Sequence, residues 1–164
     1  PPRSTLFPYT TLFRSTKLII YNNYHNPTSA ESDMEEMEHL ADICLKHNIY
    51  VLSDEAYFDI LYDGTPKSIT RFQGLPERTV ILYTFSKKFA MTGWRLGAAI
   101  GPREVIEAIS RFNVNDESCT NNFVQWAGVA ALRGPLDDHR KMIDILRERR
   151  DTALSILKDR KSVV

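Results

Sequence analysis

The chain has 164 residues, enough for one domain with a real core. Its 21 basic and 21 acidic side chains balance, which leaves no electrostatic footprint for nucleic acid or an anionic membrane, and no apolar run approaches the length of a membrane span. Cys44 and Cys119 have neither metal-ligand spacing nor a disulfide framework; they read as buried structural thiols in a reducing cytoplasm, and no secretory signal is visible.

Residues 1–15 (PPRSTLFPYTTLFRS) come first and show no periodicity. They resemble the conceptual translation of a short-read sequencing adapter. Residues 159–164 (DRKSVV) match the opposite adapter strand, whose next codon is a stop. Both segments are expected to be non-native and are set apart from fold reasoning. The genuine protein is then residues 16–158. Removing Arg3, Arg14, Asp159, Arg160 and Lys161 leaves a net formal charge of −3.

Lys17–Asn22 is a compact apolar run, predicted to be a strand. Tyr24–Ser29 follows as a polar loop, because the residue before Pro27 is pushed out of the helical region. Ser32 with Glu35 fits a capping box. Met34, Met37, Leu40, Ala41, Cys44 and Leu45 then recur at helical spacing until His47-Asn48. Ile49–Ser53 is the second strand and leads into Asp54-Glu55-Ala56-Tyr57. Beyond a polar connection from Gly64 to Pro76, Thr79–Leu82 is the third strand and Gly97–Ile100 a short fourth. Helices are predicted from Gly101-Pro102 to about Phe112 and over Phe123–Leu132. After the break at Gly134-Pro135, a long charged helix covers Leu136–Leu157.

Strands alternating with helices predict an α/β fold, a mostly parallel sheet with flanking helices. Sites in such sheets gather at the carboxyl ends of strands. Asn26, Asp54 and Lys87 each lie just past a predicted strand, so three separate segments bring polar residues to one edge of the sheet.

The third strand runs into Tyr83-Thr84-Phe85-Ser86-Lys87-Lys88-Phe89-Ala90-Met91-Thr92-Gly93-Trp94-Arg95-Leu96-Gly97. A lysine at the end of a buried strand, walled by aromatics, is placed to lose its charge by desolvation. An uncharged amine is a nucleophile towards an aldehyde. Asp54, at the end of another buried strand, wants a cationic partner, because burying a lone carboxylate is costly. Taken singly, Asp54 reads equally as a helix N-cap, Tyr57 as core and Asn26 as a turn residue. Trp94 and Trp126 read as core, and His25 as a loop residue.

Ser86-Lys87-x-Phe89-x-Met91-x-Gly93-Trp94-Arg95-x-Gly97 resembles the cofactor-lysine signature of the class I/II aminotransferases, within the fold-type-I pyridoxal-phosphate enzymes. The resemblance implies that Lys87 carries the Schiff base to pyridoxal 5'-phosphate, with Lys88 on a variable position. It implies that Arg95 holds the cofactor phosphate, with the hydroxyls of Thr84 and Ser86 beside it. Asp54 matches the aspartate that pairs with the pyridinium nitrogen and keeps the ring an electron sink. Tyr57 and Asn26, the latter from an Asn-Pro-Thr motif, match the contacts to the cofactor's phenolic oxygen. The order Asn26, Asp54, Tyr57, Lys87, Arg95, with a 28-residue gap between the first two, matches the family throughout. The family commonly has Gly where this chain has Ser29, and Ser or Gly where it has Thr84.

The implied activity is transfer of an amino group between an amino acid and a 2-oxo acid, with Lys87 moving the α-proton as general base and acid. A cytoplasmic homodimer is implied as well. The resemblance covers residues 16–158, an incomplete large domain. A parent chain should add a glycine-rich phosphate loop and a ring-stacking aromatic upstream, and a carboxylate-binding arginine downstream. The isolated piece is expected to expose apolar sheet edges and be poorly soluble and inactive. Two other readings share these anchors: a carbon–sulfur lyase or synthase of the same fold, and a non-enzymatic sensory domain of a transcription regulator, which an upstream basic helix-turn-helix would mark.

Overall fold

The structure, a computed structural model, describes residues 15–159. Apart from Ser15 and Asp159, the two adapter-like segments lie outside that range. Four strands form one sheet in the order β1 (Leu18–Asn22), β2 (Tyr50–Asp54), β3 (Thr79–Thr84), β4 (Gly97–Ile100). The first three are parallel and β4 is antiparallel to β3, in line with the mostly parallel sheet predicted.

The crossover from β1 to β2 is α1 (Met34–His47). Its apolar positions fall at helical spacing and bury Met37, Leu40, Ala41 and Cys44. They pack against Ile19, Tyr21 and Val51 of the sheet, with Ile49, Ile69 and Leu75 completing the core. α1 does carry a capping box, one residue later than predicted: Asp33 caps the N–H of Glu36 at 2.9 Å, and Glu36 reaches back to the N–H of Asp33 at 3.1 Å. Ser32 is unsuited to the role because its own N–H is engaged by the Asn23 side chain at 2.9 Å. At the other end Asn48 adopts the left-handed conformation, with φ 54°, and its N–H returns to the last turn.

The β2–β3 connection carries two short 3₁₀ turns, Ile69–Arg71 and Pro76–Arg78. After β3 comes a single helical turn, α2 (Phe85–Lys88), then another 3₁₀ turn, Thr92–Trp94. Three longer helices follow β4: α3 (Arg103–Asp116), α4 (Asn122–Arg133) and α5 (Asp137–Asp159). α3 runs four residues beyond the predicted Phe112, and α5 continues one residue past the Lys158/Asp159 boundary.

Two expectations about burial are corrected. Cys44 is buried, and burial pushes its thiol up to about 11, whereas Cys119 is exposed. Trp94 and Trp126 are not core: they are 46% and 68% exposed, because α4 turns Trp126 and Phe123 outward and Trp94 meets only the edge of Phe123, at 6.2 Å between centroids. Among the described residues no helix is long and apolar enough to cross a membrane.

Candidate active site

The carboxyl ends of β1, β2 and β3 all point to the same edge of the sheet. Asp54 is the last residue of β2 rather than the first beyond it, and it lies in register with Asn22 of β1. Asn22 donates its Nδ2 to Asp54 Oδ2 at 3.3 Å. Asp54 Oδ1 accepts the N–H of Ala56 at 3.1 Å. The carboxylate thus closes an Asx-type turn and is held from the side by a neighbouring strand. Half-buried, it is fixed in direction before any ligand arrives.

That turn carries Tyr57 back over the sheet edge, where Asn26 Nδ2 donates to the Tyr57 hydroxyl at 3.1 Å. Asn26 comes from the β1–α1 loop, which buried Asn23 organises: Asn23 accepts the N–H groups of Tyr24 and Ser32 and donates to the carbonyl of Lys67. Ser29 in this loop has φ 55°, the left-handed region. That explains on physical grounds why glycine suits the position, since an L side chain there is strained.

Lys87 reaches the same place from β3. Its Nζ lies 5.3 Å from the centre of the Tyr57 ring. Thr84 caps α2 by accepting the N–H of Ser86 at 3.2 Å. Phe85 is buried beneath, edge-on to Tyr83 and stacked with Phe89. Gly128 of α4 allows close approach here, because a Cβ on it would stand 2.6 Å from Leu96 Cδ2 and 3.5 Å from Phe85 Cε1. The lysine turn therefore rests on an aromatic floor. The aromatic wall expected around Lys87 is built on one side, by Tyr57, and the residue is half-buried.

The neighbouring lysine has a different fate. Lys88 Nζ forms an ion pair with Asp59 at 3.0 Å, with both side chains about four-fifths buried (20% and 22% exposed). Among the described residues Lys87 has no carboxylate partner, so the two adjacent amines are physically distinguished.

Asn26, Tyr57 and Lys87 are brought together, and Asp54 lies at the carboxyl end of β2, three residues before Tyr57. Thr84, the end of β3 and N-cap of α2, and Ser86 on α2 both precede Lys87 in the same turn. Arg95 is exposed, in the left-handed conformation at φ 54°, with Nη1 donating to the Thr92 carbonyl at 3.1 Å. It shares the lysine segment, and the hydrogen bond of its guanidinium stays within that segment. Sequence reasoning missed Asn22, Asn23 and Asp59. Asn22 continues the alternation of Leu18 and Ile20, but only the strand register reveals that it faces Asp54. Among the described residues no cluster of His, Cys, Asp or Glu is arranged to hold a metal ion.

Residues 9–164 match the family model for aminotransferase class I and II. An aspartate aminotransferase of Sulfolobus acidocaldarius is 38% identical over 148 residues, which cover 90% of this chain and 37% of that protein. An aromatic-amino-acid aminotransferase of Thermococcus litoralis is 41% identical over 119 residues, 72% of this chain and 31% of that one. The fold matches the crystal structure of an aspartate aminotransferase from Thermotoga maritima with a TM-score of 0.84 and 32% identity, over 91% of this chain and 39% of that one. The chain thus spans well under half the length of these relatives, and its four-stranded sheet is a partial domain. With the signature around Lys87, the sheet-edge geometry and these matches in agreement, the chain belongs to the aminotransferase class I and II family.

Proposed function

We propose that this chain is the lysine-bearing part of a pyridoxal-phosphate-dependent aminotransferase that moves an amino group between an amino acid and a 2-oxo acid. The observation that carries the reading is the convergence of Asn26, Tyr57 and Lys87 from three segments, with the hydrogen bond of 3.1 Å and the ring contact of 5.3 Å that join them. The donor set fits the group: an amine for its aldehyde, a carboxylate for its ring nitrogen, an amide and a phenol for its phenolic oxygen. Bound there, pyridoxal 5'-phosphate supplies an aldehyde that takes up the substrate amine and a ring that accepts the electron pair left at the α-carbon.

The chain's own residues do the rest. Asp54, steadied by Asn22 and the Ala56 N–H, holds the proton on the pyridine nitrogen. Asn26 and Tyr57 donate to the phenolic oxygen. Lys87 would hold the cofactor aldehyde through its amine and would carry the substrate α-proton as base and then as acid. Thr84, Ser86 and Arg95 serve the phosphate. The relatives' names favour amino-acid substrates such as aspartate or an aromatic amino acid. A cytoplasmic homodimer completes the reading, with residues 1–15 and 159–164 as non-native segments flanking the native part.

The test begins by resequencing the source locus across Ser15/Thr16 and Lys158/Asp159. Recovery of a longer parent without the two segments is expected, and their persistence in genomic DNA overturns those boundaries. The parent should then transfer amino groups to a 2-oxo acid, and Lys87→Ala should lower the rate by about 10²–10⁴-fold. Carbon–sulfur cleavage without amino transfer, or full activity in Lys87→Ala, contradicts the proposal.

A further inference from the structure

The lysine turn carries two adjacent amines, and a cofactor aldehyde can condense with either. What separates them is a set of contacts made entirely by Lys88. Its ammonium pairs with Asp59 at 3.0 Å. Its carbonyl accepts from His139 Nδ1 of α5 at 3.1 Å. Its Nζ also lies 5.6 Å from the centre of the Phe89 ring. Asp59 belongs to the loop that holds Tyr57, two residues further on, and that loop is pinned to α5 again by Arg147 on the Tyr62 carbonyl and Arg150 over the Tyr62 ring. Tyr83 borders the same carboxylate, and burial with the nearby Asp59 pushes its hydroxyl up to about 12. It therefore stays neutral and hydrogen-bonds the same Asp59 carboxylate that pairs with Lys88.

We infer that Asp59 is a positioning residue: its ion pair with Lys88 clamps the lysine turn to the Tyr57 loop, so that Lys87 and not Lys88 faces the Asn26–Tyr57 pair. A pair with both side chains about four-fifths buried can do this where an exposed one cannot, because solvent screening is reduced. Successive residues of one helical turn point about 100° apart. Anchoring Lys88 on one side therefore fixes where Lys87 can point. The inference rests on the proposed cofactor chemistry at Lys87.

The test is reductive trapping of pyridoxal 5'-phosphate with borohydride in the full-length parent, followed by peptide mapping of Lys87 and Lys88. Wild type should carry the label at Lys87. Asp59→Asn should raise the share at Lys88 by about fivefold or more, and Asp59→Glu, which keeps the carboxylate, should restore the wild-type map. A folded Asp59→Asn protein with the wild-type map overturns the clamp. If Asp59→Asn does not fold, Lys88→Met serves instead: slower labelling of Lys87 is expected, and an unchanged rate overturns the clamp. Wild type labelled at neither lysine overturns the cofactor reading itself, and the clamp with it.

Discussion

The two faces of the sheet are built to different degrees. On the face under α1, Ile19, Tyr21, Val51, Ser53 and Thr79 are all at most 9% exposed, and Met37, Leu40, Ala41 and Cys44 close over them. On the opposite face Leu18, Ile20, Tyr50 and Leu82 are 52%, 69%, 42% and 39% exposed. Val80, in register with Leu52 on that same face, is 6% exposed, so the face is covered there and open at Leu18, Ile20, Tyr50 and Leu82. Parallel sheets are normally covered on both faces, and this chain spans 37% of the Sulfolobus acidocaldarius relative. By alternation Asn22, Asp54 and Thr84 belong to that face too. The finished face fixes the register of the strands, and the unfinished one presents the site.

The largest effect should come from the covered face. Leu40→Ala is expected to cost about 2–5 kcal/mol in urea unfolding. In the isolated chain, where no further layer covers it, Ile20→Ala on the open part of the other face should stay within about 0.5 kcal/mol. Equal losses would break the distinction between the two faces.

A smaller effect sharpens it, because the covered face also buries a carboxylate. Glu55 is 7% exposed and accepts from Ser53 Oγ at 3.2 Å and Ser68 Oγ at 2.5 Å. Burial raises its carboxyl above the ordinary value, the two hydroxyls partly offset this, and Asp59 adds to it. The folded chain therefore holds that proton more tightly than the unfolded one. The ionised group opposes folding, and the opposition is absent below the unfolded pKa and complete once the pH has risen through the folded one. Glu55→Gln, which keeps an acceptor oxygen for the two serines, should raise the urea midpoint at neutral pH and lose that advantage in acid. A gain that does not change with pH, or a loss at neutral pH, would contradict this.

Much of this architecture is legible in the sequence because short-range chemistry sets it. The apolar runs that become β1, β2 and β3 and the 3.6-residue spacing of α1 need only local patterns. The placing of Asn26, Asp54 and Lys87 at or just past the ends of three strands is equally legible, since such strand ends share an edge, whereas their roles came from the resemblance to a family. The capping box of α1 was displaced by one residue because two overlapping patterns, Ser32/Glu35 and Asp33/Glu36, look alike in sequence. The choice between them depends on Asn23, a residue nine positions away that occupies the Ser32 N–H. Cross-strand and cross-loop partners were not legible at all. Asn22 meets Asp54 through register, and Asp59 meets Lys88 across a sequence separation of 29. Trp94 and Trp126 were expected in a core, but burial depends on which layers cover a face, and composition carries no information about that.

The most direct measurement is the absorbance of the parent protein with pyridoxal 5'-phosphate, compared between Lys87→Ala and Lys88→Ala. The account predicts that the borohydride-reducible imine band is lost in Lys87→Ala and retained in Lys88→Ala. A band that survives in Lys87→Ala, or disappears only in Lys88→Ala, would contradict the assignment of Lys87 on which the whole reading depends.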